Sequence, residues 1–206
     1  MAIRHYLAAA VLAAISVLSG CASTRIDTAG SPLKAPLCQE GSEPLTTVIY
    51  WGTQWRPDQK EPALREAAAL RGINDFLSHT NCLSVAGVHR LPAGSFIPSD
   101  EDLLRSAASP SAVPERVVHI VVRELGPHVS FGIPVIVEGG TEVVIDVHVR
   151  NPRTAAVLAN TRTHWRNGGS FVIKGVRTLD QDMRAALDAA LMPGRTIISS
   201  FGPTAP

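Results

Sequence analysis

The chain has 206 residues, with 19 Lys and Arg against 18 Asp and Glu, a formal charge of +1, and 45% hydrophobic residues. That length suits one domain with tails, and so large an apolar fraction excludes wholesale disorder. A charge this near zero excludes the basic stripe that nucleic-acid phosphates require.

In chain order, the first segment is an address rather than a fold. Arg4 and His5 precede an unbroken run of apolar and small residues from Leu7 to Leu18. As a helix this run covers roughly 18 Å, too short for a ~30 Å hydrocarbon core, and it reads as a signal-peptide hydrophobic region. It ends in Leu18-Ser19-Gly20-Cys21, which resembles the lipobox of bacterial lipoproteins. The resemblance implies cleavage before Cys21, lipidation of Cys21 (palmitate among the acyl groups) and anchorage without a spanning helix. Ala22, rather than Asp, follows the cysteine. By the sorting rule of enterobacterial lipoproteins, that implies the periplasmic face of the outer membrane. Residues 1–20 are therefore expected to be removed, and 21–44, rich in Gly, Ser, Thr and Pro, to form a flexible tether. A domain over 45–194 and a tail over 195–206 complete the expected organisation.

Two cysteines remain, Cys38 and Cys82. In an exported chain they are expected to pair, worth roughly 4 kcal/mol on the chain-entropy account. The alternative is a reactive thiol at Cys82 helped by His79.

Thr46 to Trp51 is β-branched and aromatic, a first strand. Asp58 and Glu61 have capping-box spacing before Pro62, and Ala63, Ala67, Leu70, Ile73, Phe76 and Leu77 mark one face of a helix to about Ser78. Leu83 to His89 reads as a short strand and Asp100 to Ala108 as a short helix ended by Ser109-Pro110. Arg116 to Leu125 is a third strand, broken by Gly126-Pro127. Val143, Ile145, Val147 and Val149 then alternate with polar residues, as do Val157, Ala159, Thr161, Thr163 and Trp165. An odd-numbered loop would put both apolar sets on one face. Thr178 with Gln181 repeats the capping-box spacing, and Leu179, Met183, Leu187, Ala190 and Leu191 follow at helical spacing until Pro193-Gly194. The order predicts an α+β two-layer sandwich: one mixed or antiparallel sheet of four to five strands, with two main helices on one face.

The run Arg116 to Leu191, with Val-Val-His-Ile-Val-Val-Arg-Glu-Leu, Gly-Gly-Thr-Glu-Val-Val-Ile-Asp-Val-His-Val-Arg and Asn151-Pro152-Arg153-Thr154, resembles small envelope lipoproteins. It is similar to the auxiliary lipoproteins of ABC-type lipid transporters, to the TolB N-terminal domain and to the α/β body of the curli-secretion lipoprotein. Thr154-Ala155 stand where those families commonly carry a glycine. The resemblance implies an accessory or assembly role in a transport or secretion complex, without catalysis.

Candidate partner residues are Trp51, Trp55 and Arg56, a composition enriched at interfaces, and Arg150, Arg162 and Arg166 on the polar hairpin face. No set reaches a catalytic or cofactor signature. A hydrolase or metal-dependent enzyme would need His119, His148 and His164 to converge on zinc, backed by Glu142 and Asp146. On a wet face the same residues would instead pair across the hairpin, Glu142 with His164 and Asp146 with Arg162. The apolar Phe131 to Val137 segment reads as an added strand, a self-association patch or a contact with membrane. The expected partners are thus the membrane through the acyl chains, an envelope protein complex or a second copy.

Overall fold

The computed structural model describes residues 22–92, 95, 97–106, 113–132 and 136–195. The signal segment, Cys21, the predicted helix end at 107–110, residues 133–135 of the apolar segment and the tail after 195 lie outside the described residues. Six strands and three α-helices follow in the order β1 (Ser23–Ser31), β2 (Leu45–Thr53), α1 (Pro62–Ser78), β3 (Leu83–Arg90), α2 (Asp100–Ser106), β4 (Arg116–Gly132), β5 (Ile136–Asn151), β6 (Ala156–Ser170) and α3 (Leu179–Leu191). They form one mixed sheet of order β1-β6-β5-β4-β2-β3, with β2 parallel to β3 and β4 and the remaining pairs antiparallel.

This corrects the expected sheet of four to five strands with two main helices. The extra strand is β1, in the stretch whose composition reads as tether. Every residue of β1 is exposed, yet nine of them pair with β6 from Ser23↔Gly168 to Ser31↔Asn160. Backbone pairing holds it, and a search for buried side chains passes over it.

The helix beyond the expected two, α2, is on the other face for a topological reason. The crossover from β2 through α1 to β3 steps one way along the sheet, and β3 to β4 steps back past β2. Right-handed crossovers then require opposite faces. Accordingly α1 and α3 cover Ile49, Trp51, Val118, Ile120, Ile145 and Trp165. Leu91, Ile97 and Leu103 of α2 and its lead-in cover Val48, Tyr50 and Val117.

Neither capping-box spacing read from the sequence forms a side-chain cap. A reciprocal pair is made at α2 instead, where the Asp102 amide donates to Ser99 Oγ at 3.1 Å and the Ser99 amide to Asp102 Oδ2 at 3.3 Å. The buried face of α1 is also rotated from the expected one: Ala68, Ala69, Gly72, Ile73 and Phe76 are inside, while Leu70 is exposed. Small residues face inward because α3 lies close, and a Cβ at Gly72 would stand 2.6 Å from both Asp180 O and Met183 Cβ.

The β5–β6 connection leaves four residues between Asn151 and its partner Ala156, an even loop. Parity is restored by a bulge, since Val149 faces Ala159 while Arg150 faces Val157. The extra residue, Leu158, returns Ala159, Thr161, Thr163 and Trp165 to the core face, each at most 3% exposed. Ala155 in this loop has φ 54°, left-handed backbone at the position where glycine is common in the resembling families. Ala155→Gly is therefore expected to stabilise the fold by about 0.5–1 kcal/mol, read as a higher urea midpoint.

Gly126-Pro127 does not end β4. The strand continues to Gly132, and Pro127 faces Thr141 of β5. Beyond Val122 β2 no longer flanks β4, and a proline is tolerated where one side has no neighbour. Phe131 faces Val137 and Gly132 faces Ile136, so the described ends of the apolar segment are the outermost pairs of the β4–β5 ladder.

Cys38 and Cys82 form a disulfide across a separation of 44, with Cα atoms 5.8 Å apart. The Leu37 amide donates to Leu191 O at 2.8 Å, so the chain after β1 crosses the helix end and is fastened there.

One polar group in the core sits uneasily. Asp182 is fully buried, and its Oδ1 meets no donor. Burial raises its carboxyl above the ordinary range, with the nearby Thr141 hydroxyl, then Lys174 and Thr178, pulling the other way. A raised folded-state value means stability is present in acid and lost as pH rises through that value. Asp182→Asn is expected to raise the melting temperature at pH 7, and the gain should vanish below about pH 3, where the native carboxyl is itself neutral.

Candidate functional site

Alternation sends every second residue of β4, β5, β6 and β1 to the face away from α1 and α3. Over β2 and β4 that face is covered by the α2 segment. Over β5, β6 and β1 it carries a lattice of charged and aromatic side chains.

Its centre is Asp146 on β5. Arg162 grips it with a two-pronged contact, Nε to Oδ1 at 2.6 Å and an Nη to Oδ2 at 3.0 Å, and Arg123 donates to Oδ2 from the other side. Arg123 reaches it because the β4 ladder slips between Val122 and Glu124. Burial pushes the Asp146 carboxyl up, but the hydrogen bonds from Arg162 and Arg123 outweigh it and hold the group below its usual range. Glu142, two same-face positions along β5, lies 3.0 Å from His164 Nε2 and 3.8 Å from His128 Nδ1. Both cross-hairpin pairs foreseen for a wet face are made.

Four rings line up across neighbouring strands at the other end of this face. His148 faces His119, His119 faces Tyr50 and Tyr50 faces His89. The His119 and His148 rings stack with centroids 5.7 Å apart, and Tyr50 and His89 at 5.2 Å. Burial holds His119 below its usual range, helped by the neighbouring His148 and Arg150 charges. A cleft of about 350 Å³ opens beside the histidine pair, bordered by Ile97, Arg150 and Val157. Because His164 faces Val144, four residues from His148, it stands roughly 13 Å along the sheet from the stacked pair. Among the described residues no three His, Cys, Asp or Glu are placed to hold a metal.

Of the partner residues named from sequence, Trp51 is 2% exposed and belongs to the core. Trp55 packs half-buried against that core. Arg56 stands 3.0 Å from the buried Glu124, whose carboxyl burial raises and Arg56 draws back. The three hairpin arginines share the polar face, each beside a carboxylate: Arg150 at 3.1 Å from Asp100, Arg162 on Asp146, and Arg166 at 2.7 Å from Asp27. Sequence reasoning did not find Arg25 and Asp27, since both sit on the unforeseen β1, nor Arg123, which only the bulge delivers.

A second cleft of about 150 Å³ lies toward the hairpin's outer end. Gly140 and Gly168 face each other as its floor, with His128, Ser130 and Glu138 on one wall and Ser23, Arg25 and Arg166 on the other. A Cβ on either glycine would come within 2.7 Å of the other's Cα.

The fold and face together define an α/β sandwich with one polar, partly uncovered sheet face and two open edges. No family model and no curated protein matches the sequence. Among solved structures the chain is similar to the PelC dodecamer of Paraburkholderia phytofirmans, at 12% identity over 82% of this chain and 99% of that one, TM-score 0.39. It is also similar to lipoprotein GNA1162 of Neisseria meningitidis, at 16% identity over 71% and 97%, TM-score 0.37. A third likeness is to TolB of Acinetobacter baumannii, at 12% identity over 82% of this chain and 31% of that one, TM-score 0.25. At such values the likenesses assign no family. No described helix is long and apolar enough to cross a membrane.

Proposed function

We propose that this is a lipid-anchored accessory or assembly lipoprotein of the bacterial envelope, held by acyl chains on Cys21 at the periplasmic face of the outer membrane. It works by binding a protein component of a transport or secretion complex that handles lipid or polymer, rather than by catalysis. The observation that carries this reading is the uncovered face of β5, β6 and β1. Ion pairs such as Arg162–Asp146 and Arg166–Asp27 hold the arginine side chains in place while Arg162 stays half exposed and Arg166 about a third exposed. Such a preorganised charged surface suits recognition of a complementary protein surface.

The test is crosslinking in living cells through a photoreactive residue at Arg162 or Arg166, followed by purification and mass spectrometry. Recovery of a transporter or secretion subunit supports the reading. Charge reversal by Arg166→Glu should then abolish that recovery with little change in melting temperature. Recovery of nothing from either position removes the polar face from consideration.

Self-association is the second reading, and the two sheet edges favour it. β1 is exposed throughout, and Ser84, Val85 and Ala86 are exposed on β3. Joining the β1 edge of one copy to the β3 edge of the next is a head-to-tail contact, which forms a ring where the rotation between copies closes and a filament where it does not. Crosslinks only to the protein's own copies would support it.

A further inference from the structure

We propose that Val129 and Phe131 at the outer rows of β4, together with Phe171 and Ile173 after β6, form a bilayer-contacting surface that seats in the phospholipid interface beside the acyl anchor. The inference rests on Cys21 carrying that anchor.

Register places the anchor's end of the sheet. Ser23 of β1 pairs with Gly168, Gly168 with Gly140, and Gly140 with His128. Two peptide units separate Cys21 from Ser23, so the acylated residue is held within about 7 Å of this row. The sheet continues past it: Ser130, Glu138 and Ser170 form the next outward row, and Phe131 with Val137 lies beyond. A domain tied to lipid at that row cannot keep these last residues far from the bilayer.

They have the chemistry to enter it. Five large apolar side chains among the described residues are more than half exposed: Val129, Phe131, Val157, Phe171 and Ile173. All but Val157 are at this end, and Phe131 is 77% and Ile173 95% exposed. Phe171 is also held in left-handed backbone, φ 61°, while its amide donates to Val137 O at 2.8 Å. A bulky residue kept outward in a conformation it rarely adopts is a signature of a surface that uses it. Arg25 and Arg166 stand one row inward, at the depth of lipid phosphates, where cations above an inserted apolar edge strengthen attachment.

The experiment uses the acylated full chain in vesicles of phosphatidylethanolamine and phosphatidylglycerol, with bromine on the acyl chains. Phe131→Trp places an indole at the tip, and Val157→Trp places one at the opposite end as control. After subtraction of the parent chain's emission, which comes from Trp51, Trp55 and Trp165, that of the first added indole should fall about twofold with brominated lipid and shift to the blue, while the second is unchanged. Equal response of the two in protein that floats with the vesicles overturns the inference and leaves the anchor intact. Protein that fails to float overturns the anchor reading, and this inference with it. Tip protection from aqueous iodide that grows with protein density and ignores bromine means a second copy covers the tip, and likewise overturns it.

Discussion

Trp51→Ala is expected to lower stability by about 3–5 kcal/mol, the usual loss for a buried aromatic truncated to alanine. Trp51 lies at the end of β2 with 2% of its surface exposed, among Ile49, Ile120 and the residues of α1 and α3. Against a total of about 5–15 kcal/mol this is a large fraction, and it would show as a marked fall in the urea midpoint. The substitution separates two roles that composition leaves together. A partner-binding tryptophan would leave the midpoint in place and lower only partner recovery. An unmoved midpoint would therefore sink the core assignment.

The second large effect is that of the disulfide. Cys38→Ala combined with Cys82→Ala removes a cross-link over 44 residues, and about 4 kcal/mol is expected on the chain-entropy account. At roughly 2–4 °C per kcal/mol for a chain of this size, the melting temperature should drop by about 8–16 °C. Identical melting with and without reductant would contradict it. The bond fastens the crossing after β1 to the turn between α1 and β3, and with Leu37 it closes the open end of the helix layer.

What the sequence made legible is what side-chain burial writes into it. The alternation from Val143 to Val149 and from Ala159 to Trp165 gives β5, β6 and their inward face, though Val157, expected inside, is exposed, and Leu179 to Leu191 gives α3 with its buried stripe. The pairs on the outer face, His164 with Glu142 and Arg162 with Asp146, follow from the same alternation. β1 was hidden because it buries nothing and is held by its backbone. The continuation of β4 through Pro127 was hidden because a proline breaks only a strand flanked on both sides, and flanking is a property of topology. Trp51 was misread because two tryptophans close in sequence resemble an interface until the strand's facing is known. The bulge at Leu158 moved the parity requirement from loop length to the ladder itself.

The position of β1 also sets a mechanical property. While it is zipped to β6, the domain is tied within two residues' reach, roughly 7 Å, of the position where we propose the lipid anchor. Peeling it away gives up nine residues of backbone pairing but withdraws none of its own side chains from the core, the kind of local opening that needs least free energy. The slack released runs at most to Leu37, buried and held by its amide on Leu191 O beside the disulfide at Cys38, and this fastening acts as a stop. From Cys21 to that stop the extended chain spans about 58 Å. The strand is in effect a retracted cable, and a pull along its axis loads all nine pairs in shear before any length is let out. With the chain anchored as proposed, tension on a single edge strand would decide whether the domain rides on the bilayer or stands off from it.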